Sequence, residues 1–444
     1  MNMKMAALVL VFALASVESV SLNVRAQSTA RATAARIGQT TQDERATYDL
    51  LAPETSSFRT DYEVSVTTSG ATIFFDKIGT GLTTVPSAAG DGVTDLMAGA
   101  PLKVDEVSGA QAKAGGLVDA DAGSRYLRIQ LARPIPDHGG QARLRVIHTY
   151  RGSESYRFQG DAIVFSRNIG LPRATFVLPA GYQLTECNVP SQVLSDASGR
   201  VRVSFMHQGP GPVALLLKAR AGVPTGAAAV PRPLTNARSW EPPAAQGPTE
   251  RSRLSDRSSQ DRDIVYFLQQ PDTNAFSLYH DYTESREGID KYLNVVRTGS
   301  KVSNPSGLIL DTGETLKAQI VTGAQAQATG IDLGGERVAP DQEVVVTPFP
   351  GVKKGQSIRL RLSETYTAPE SYRLEGEEFA FERSLGRPRN SVVLPRGWYL
   401  TWLSIPGVVS QTADGLTRVD FVNGRPDSID VLMKGKRLAA ATVR

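Results

Sequence analysis

The chain has 444 residues, 41% of them hydrophobic and 21% charged, a length too great for one ordinary core and a balance that excludes wholesale disorder. Its Lys+Arg count of 49 against Asp+Glu 45 leaves a formal net charge of +4 with no basic block. That excludes a nucleic-acid surface, because phosphate recognition needs a concentrated basic face.

The N-terminus has the anatomy of a secretory leader. Met1 to Lys4 is a short positive start, Met5 to Val17 is apolar or small throughout, and Glu18 ends the run. Val24-Arg25-Ala26 then offers a small-x-small cleavage site before Gln27. The apolar run, about 13 residues, falls short of the roughly 20 needed to span a bilayer. Residues 1–26 are therefore expected to be a cleaved signal peptide, with a retained anchor as the weaker alternative, and the protein to be periplasmic or extracellular. Residues 27–47 read as a flexible N-terminal tail. Cys187 is the only cysteine, so no intrachain disulfide is possible, and it reads as a small buried hydrophobe.

Strands dominate from there on. Leu144, Val146, His148 and Tyr150 alternate with Arg143, Arg145 and Thr149, and Val201, Val203 and Phe205 alternate with Arg202 and Ser204. Period-2 alternation marks half-buried strands. Further strands are predicted at Tyr62–Thr68, Ala71–Ile78, Leu102–Val107, Tyr126–Leu131, Ala162–Ser166, Thr175–Leu178, Gln183–Val189 and Val213–Ala219. No segment carries an apolar stripe at helical spacing.

A long block occurs twice without a gap. Arg143 to Leu184 matches Arg359 to Leu400, pairing Tyr150 with Tyr366, Tyr156 with Tyr372, Gly160 with Gly376, Arg167 with Arg383 and Pro172 with Pro388. Looser matches upstream pair Pro53 with Pro271 and Phe58 with Phe276. The expectation is an all-β protein of two tandem homologous antiparallel β-sandwich modules, residues 48–220 and 263–444. Immunoglobulin-like and jelly-roll orders stay equally open. Residues 221–262 hold Pro224, Pro231, Pro233, Pro242, Pro243 and Pro248 and read as a Pro-rich linker, with Trp240 as a possible anchor to one module.

The chemistry-bearing residues form no known catalytic motif. HExxH, CxxC, GxSxG and GK[ST] are all absent, and the four histidines are His138, His148, His207 and His280. His148 and His207, on the apolar phase of two strands, are the one pair that would serve a site peculiar to the first module. Asp119, Asp121 and Gly123 resemble a fragment of a calcium loop but read as a turn, since the remaining ligand positions are missing. No metal and no cofactor is expected.

A duplicated polar set remains. Glu154, Ser155, Tyr156, Arg157, Arg167 and Arg173 recur as Glu370, Ser371, Tyr372, Arg373, Arg383 and Arg389. Two readings apply: a Glu–Arg network closing the sandwich with tyrosine hydroxyls on backbone, or a paired surface gripping carboxylates or sugar hydroxyls. On the second reading Tyr156, Arg157, Arg167, Arg173, Tyr372, Arg373, Arg383 and Arg389 are the binding residues. The general texture resembles secreted β-sandwich domains that precede metallopeptidase domains, but no motif is shared and their metal-binding helix is missing. The expected function is non-catalytic binding or scaffolding outside the cytoplasm, toward a protein partner or an envelope polymer. An accessory subunit on the periplasmic face of a membrane complex is one setting. The alternative is a secreted hydrolase of glycan or peptide.

Overall fold

A computed structural model describes residues 38–137, 139–209, 211–222, 256–331 and 338–437. The expected signal peptide, Trp240 and most of the linker lie outside these residues. The protein is all-β, with two six-residue α-helices, Gly109–Ala114 and Gly323–Ala328, each opened by a capping box on Ser108 or Thr322. Helices this short show no apolar stripe, so hydrophobic periodicity could not reveal them. No helix among the described residues is long and apolar enough to cross a membrane.

One large sheet runs in the order Gln192–Ser195, Val201–Met206, Arg173–Val177, Thr41–Leu50, Ser57–Val66, Ala142–Arg151, Gly92–Asp95, Ala100–Leu102. A second follows the same order: Val408–Gln411, Thr417–Val422, Arg389–Val393, Asp263–Leu268, Ala275–Glu284, Ile358–Thr367, Lys301–Ile309, Glu314–Leu316. Each contains one parallel pair, Thr41–Leu50 with Arg173–Val177 and Asp263–Leu268 with Arg389–Val393. A four-stranded sheet belongs to each, Tyr156–Gln159, Ala162–Ile169, Val213–Ala221, Tyr182–Cys187 in the first half and Tyr372–Glu375, Glu378–Leu385, Ile429–Arg437, Trp398–Leu403 in the second. A three-stranded sheet completes each half.

The alternation read from sequence places the apolar side chains in the core, but Arg143, Thr149 and Ser204 of the polar phase are buried as well, and His148 of the apolar phase only in part. Leu144, Val146, Phe58, Phe165 and Phe176 are buried in one cluster, and Leu394, Phe276, Phe381 and Phe421 in another, each confined to its own half. Equivalent rings meet in equivalent ways: Phe58 and Phe165 cross edge to face at 5.4 Å, Phe276 and Phe381 at 5.7 Å. Such rings prefer an edge-to-face arrangement because of their quadrupoles.

Two expected boundaries change. The tail assigned to residues 27–47 ends early, because Thr41–Leu50 is a central strand paired on both sides, with Ala46 fully buried and Arg45 ion-paired to Glu63 at 2.7 Å. Its polar composition concealed it: the strand lies where charged neighbours satisfy its side chains. The linker assigned to residues 221–262 likewise ends before Asp256. Asp256 accepts hydrogen bonds from Thr175 Oγ1 at 3.2 Å and Ser204 Oγ at 2.8 Å, and Ser258 is buried.

Candidate functional site

The duplicated arginines Arg143 and Arg359, which open the repeated block, face the junction between the halves. Arg143 grips Asp311 with a fork, Nε to Oδ1 at 2.5 Å and Nη2 to Oδ2 at 3.0 Å, and donates to the Ser357 carbonyl at 2.8 Å. Asp311 is fully buried and also accepts the Arg359 backbone N–H at 2.9 Å. Ser357 Oγ donates to the Leu96 carbonyl at 2.8 Å.

Asp43 is the complementary centre. Its backbone is left-handed, at φ 53°, which Asp tolerates better than most residues. Its carboxylate receives Arg359 Nη2 at 2.5 Å and Arg389 Nη2 at 3.1 Å, while its carbonyl receives Arg173 Nη2 at 2.8 Å. Arg359 also reaches Asp261 at 3.0 Å. Burial by itself would raise the Asp43 carboxyl, but Arg359, Arg389 and Arg173 overcome it and hold the group well below the usual carboxylate range. Burial, then the neighbouring Arg389, lowers Arg173 to about 9.

Arg257 closes the junction from the linker side, donating to the Gly386 carbonyl at 2.8 Å and the Asn423 carbonyl at 3.2 Å. The neighbouring Asp256 sits on the first half, so this short segment clasps both. Buried ion pairs add little net stability, because desolvation offsets attraction. The forks are met only in part, since Nε of Arg173, Arg359 and Arg389 finds no acceptor.

The eight residues expected to form a paired binding surface do not come together. Tyr156 and Tyr372 are fully buried and donate to the Leu51 carbonyl at 2.9 Å and the Gln269 carbonyl at 2.6 Å, so no aromatic face is free. Arg173 and Arg389 are consumed in the junction. Arg157 and Arg373 lie on the surface and donate to the carbonyls of Glu154 and Glu370, at 2.7 and 2.8 Å. Arg167 donates to Ser155 Oγ at 3.1 Å, whereas Arg383 sits among the rings of Tyr266, Phe276 and Tyr366. Only Tyr156 with Tyr372 and Arg157 with Arg373 keep equivalent backbone partners. Glu154 and Glu370 accept through their carbonyls, so the Glu–Arg part of the network reading does not appear, and the other two arginine pairs end differently.

The histidine pair is also separated. His148 contacts Asp91 at 3.1 Å, and His207 contacts the Gly211 carbonyl at 2.8 Å. Three strands intervene between theirs, a separation of roughly 19 Å at ~4.8 Å per strand. His280 is buried against Tyr292, and burial pushes its imidazole well below the ordinary histidine value. His138 lies outside the described residues. Asp121 accepts from Gly123 N at 3.0 Å and Ser124 Oγ at 2.7 Å, which makes that segment a turn. A depression of about 310 Å³ is lined by His207 and Gln208 together with Gly170, Pro172, Gly209, Gly211 and Pro212.

The halves differ on the outer face of the four-stranded sheets. In the first, Glu186 stands opposite Lys218 and ion-pairs with it at 2.7 Å. At the same register in the second, Trp402 stands opposite Lys434 and is 49% exposed. A bulge at Thr401 turns Tyr399, also 42% exposed, to that face, while Leu400 and Leu403 pack inward. Sequence comparison of the two copies held this signal, since Gln183 and Glu186 are the positions that became Tyr399 and Trp402.

No protein-family model and no curated protein matches the chain. Among solved structures it is similar to an aminopeptidase N family protein from Idiomarina loihiensis, at 8% identity and TM-score 0.24, over 39% of this chain. The chain spans 29% of that protein's length. It is also similar to the collagen adhesin of S. aureus, at 7% identity and TM-score 0.15, covering 78% of this chain and 84% of that one.

Proposed function

We propose that this chain is a non-catalytic, extracytoplasmic binding and scaffold protein whose second half docks a protein partner through the face that carries Trp402 and Tyr399. The supporting observation is the exchange of an ion-paired glutamate, Glu186, for a half-exposed tryptophan at the same register. Trp and Tyr are the residue types that anchor interfaces, and both are exposed on this face. The junction of Asp43, Arg143, Asp311 and Arg359 joins the halves through buried ion pairs. Docking on the periplasmic face of a membrane complex is the proposed setting.

The test is site-specific photocrosslinking in intact cells of the source organism. A photoreactive residue at position 399 or 402 is expected to give one discrete protein adduct, and the same probe at 183 or 186 none. Trp402→Glu, which puts a carboxylate opposite Lys434 beside its existing partner Glu375, is expected to abolish the adduct formed from 399 while leaving the unfolding free energy within about 0.5 kcal/mol of the parent, as for ordinary surface substitutions. A large loss of stability in that variant would assign Trp402 to the fold instead. A polymer ladder in place of a discrete band would overturn the protein partner.

A further inference from the structure

Arg167 and Arg383 occupy equivalent positions, opposite Leu215 and Val431 in their sheets, yet end differently. In the first half the Arg167 guanidinium passes over Gly79: a Cβ there would lie 1.7 Å from its Nη2. It finds acceptors in Ser155 Oγ at 3.1 Å and the Thr80 carbonyl at 3.4 Å. The position of Gly79 is taken by Arg297 in the second half. The turns match, with Leu82 N bonded to Gly79 O and Ser300 N to Arg297 O, and Gly81 and Gly299 both at positive φ.

With Arg297 in place of that glycine, Arg383 stays inside. It is 8% exposed, its Nε and Nη1 have no acceptor, and its guanidinium carbon lies 5.2 to 5.6 Å from the ring centres of Phe276, Tyr266 and Tyr366. Ring faces offset part of the desolvation of a cation but are weak acceptors beside an anionic oxygen. Among the described residues, neither Arg383 nor Arg297 is ion-paired to a carboxylate. Arg297 is exposed and spends one N–H on the Ser384 carbonyl at 2.8 Å. Of the neighbouring acids, Glu364 accepts from Asn294 at 2.7 Å and Asp430 accepts from Ser384 Oγ at 2.5 Å.

We propose that Arg383 and Arg297 form a binding site for a small oxyanion, entered between the Arg297–Ser300 turn and the Glu378–Leu385 strand. Arg383 supplies unsatisfied in-plane donors from within, and Arg297 supplies the second guanidinium at the mouth. Phosphate, sulfate and carboxylate share the required chemistry, two oxygens spaced to receive a guanidinium fork. The site is independent of the Trp402 face.

Calorimetric titration and thermal unfolding of the purified chain with inorganic phosphate, sulfate and acetate, against chloride at matched ionic strength, test it. Saturable binding of at least one oxyanion is expected, with a rise in unfolding temperature that chloride does not reproduce. Arg297→Ala, at the exposed mouth, is expected to weaken binding at least tenfold without loss of fold, and Arg383→Met to abolish it. Arg167→Met, the equivalent change in the first half, is expected to leave binding intact. Equal binding by the Arg297→Ala variant, or no saturable heat with any of the three anions, would overturn the site and leave Arg383 as a hydrated core residue.

Discussion

Asp43 and Arg359 meet at 2.5 Å across 316 residues of sequence, a carboxylate from one half seated on a guanidinium of the other. Arg359 is nearly inaccessible to water, and Asp43 has the three guanidiniums of Arg359, Arg389 and Arg173 around it. The pairing is an intramolecular interface condensed to a few side chains, and it makes the arrangement of the halves testable.

Asp43→Ala leaves those arginines buried without their shared carboxylate. The expected cost is about 3–5 kcal/mol, the range for removing one partner of a buried pair. Urea unfolding would show it as a lowered midpoint. The change should also bring forward proteolysis at the junction relative to either core.

Arg143 and Asp311 form the second crossing. In a double-mutant cycle, Arg143→Ala and Asp311→Ala are each expected to destabilise strongly, and the double variant to lose about 1–3 kcal/mol less than their sum, because they share one interaction. Additive losses would mean the fork contributes nothing beyond its parts.

Asp76 carries an opposite pH signature. Burial, then the nearby Glu44, raises its carboxyl to about 7. A folded value above the ordinary 3.8 favours folding most below that figure and loses the contribution as pH rises through 7. Asp76→Asn is therefore expected to gain stability over the parent at pH 8 and show little gain at pH 4, read from denaturation midpoints at both.

His280 is held neutral by burial, so its folded value lies below the ordinary 6.5. The unfolded chain then takes up the proton first, and stability falls as pH drops below 6.5. His280→Phe should flatten the stability profile between about pH 6.5 and 5 relative to the parent, with no change of slope above 7.

Tyr156→Phe and Tyr372→Phe each delete a hydroxyl that satisfies one backbone carbonyl. Each is expected to cost about 1 kcal/mol. Neither should alter the crosslink from position 399 or 402, because both rings are buried away from that face.

The alternation in Arg143–Tyr150 and Val201–Met206 made the strands legible, since the side-chain period of a strand is written directly into hydrophobicity. The ungapped match of Arg143–Leu184 with Arg359–Leu400 likewise announced that whatever one stretch folds into, the other would approach. The duplicated polar residues were visible as a set but not as a place. Matching residues report only that the same local environment occurs twice, and tyrosines bound to backbone look in sequence like tyrosines bound to ligand.

What the chain alone determined is the β class, the repeated strand pattern and the identity of the duplicated arginines, all properties of local periodicity and self-similarity. Tertiary structure decided where those arginines point. Asp43 lies in a polar stretch that reads as tail, and only its placement between two strands brings its carboxylate to Arg359. Arg383 differs from Arg167 because Arg297 replaces a glycine some 86 residues earlier in the chain, a distance that no local rule spans. Long-range pairing sets the partners of buried charges, and those partners are what turned a repeated set of residues into a junction in one place and an unfilled guanidinium in another.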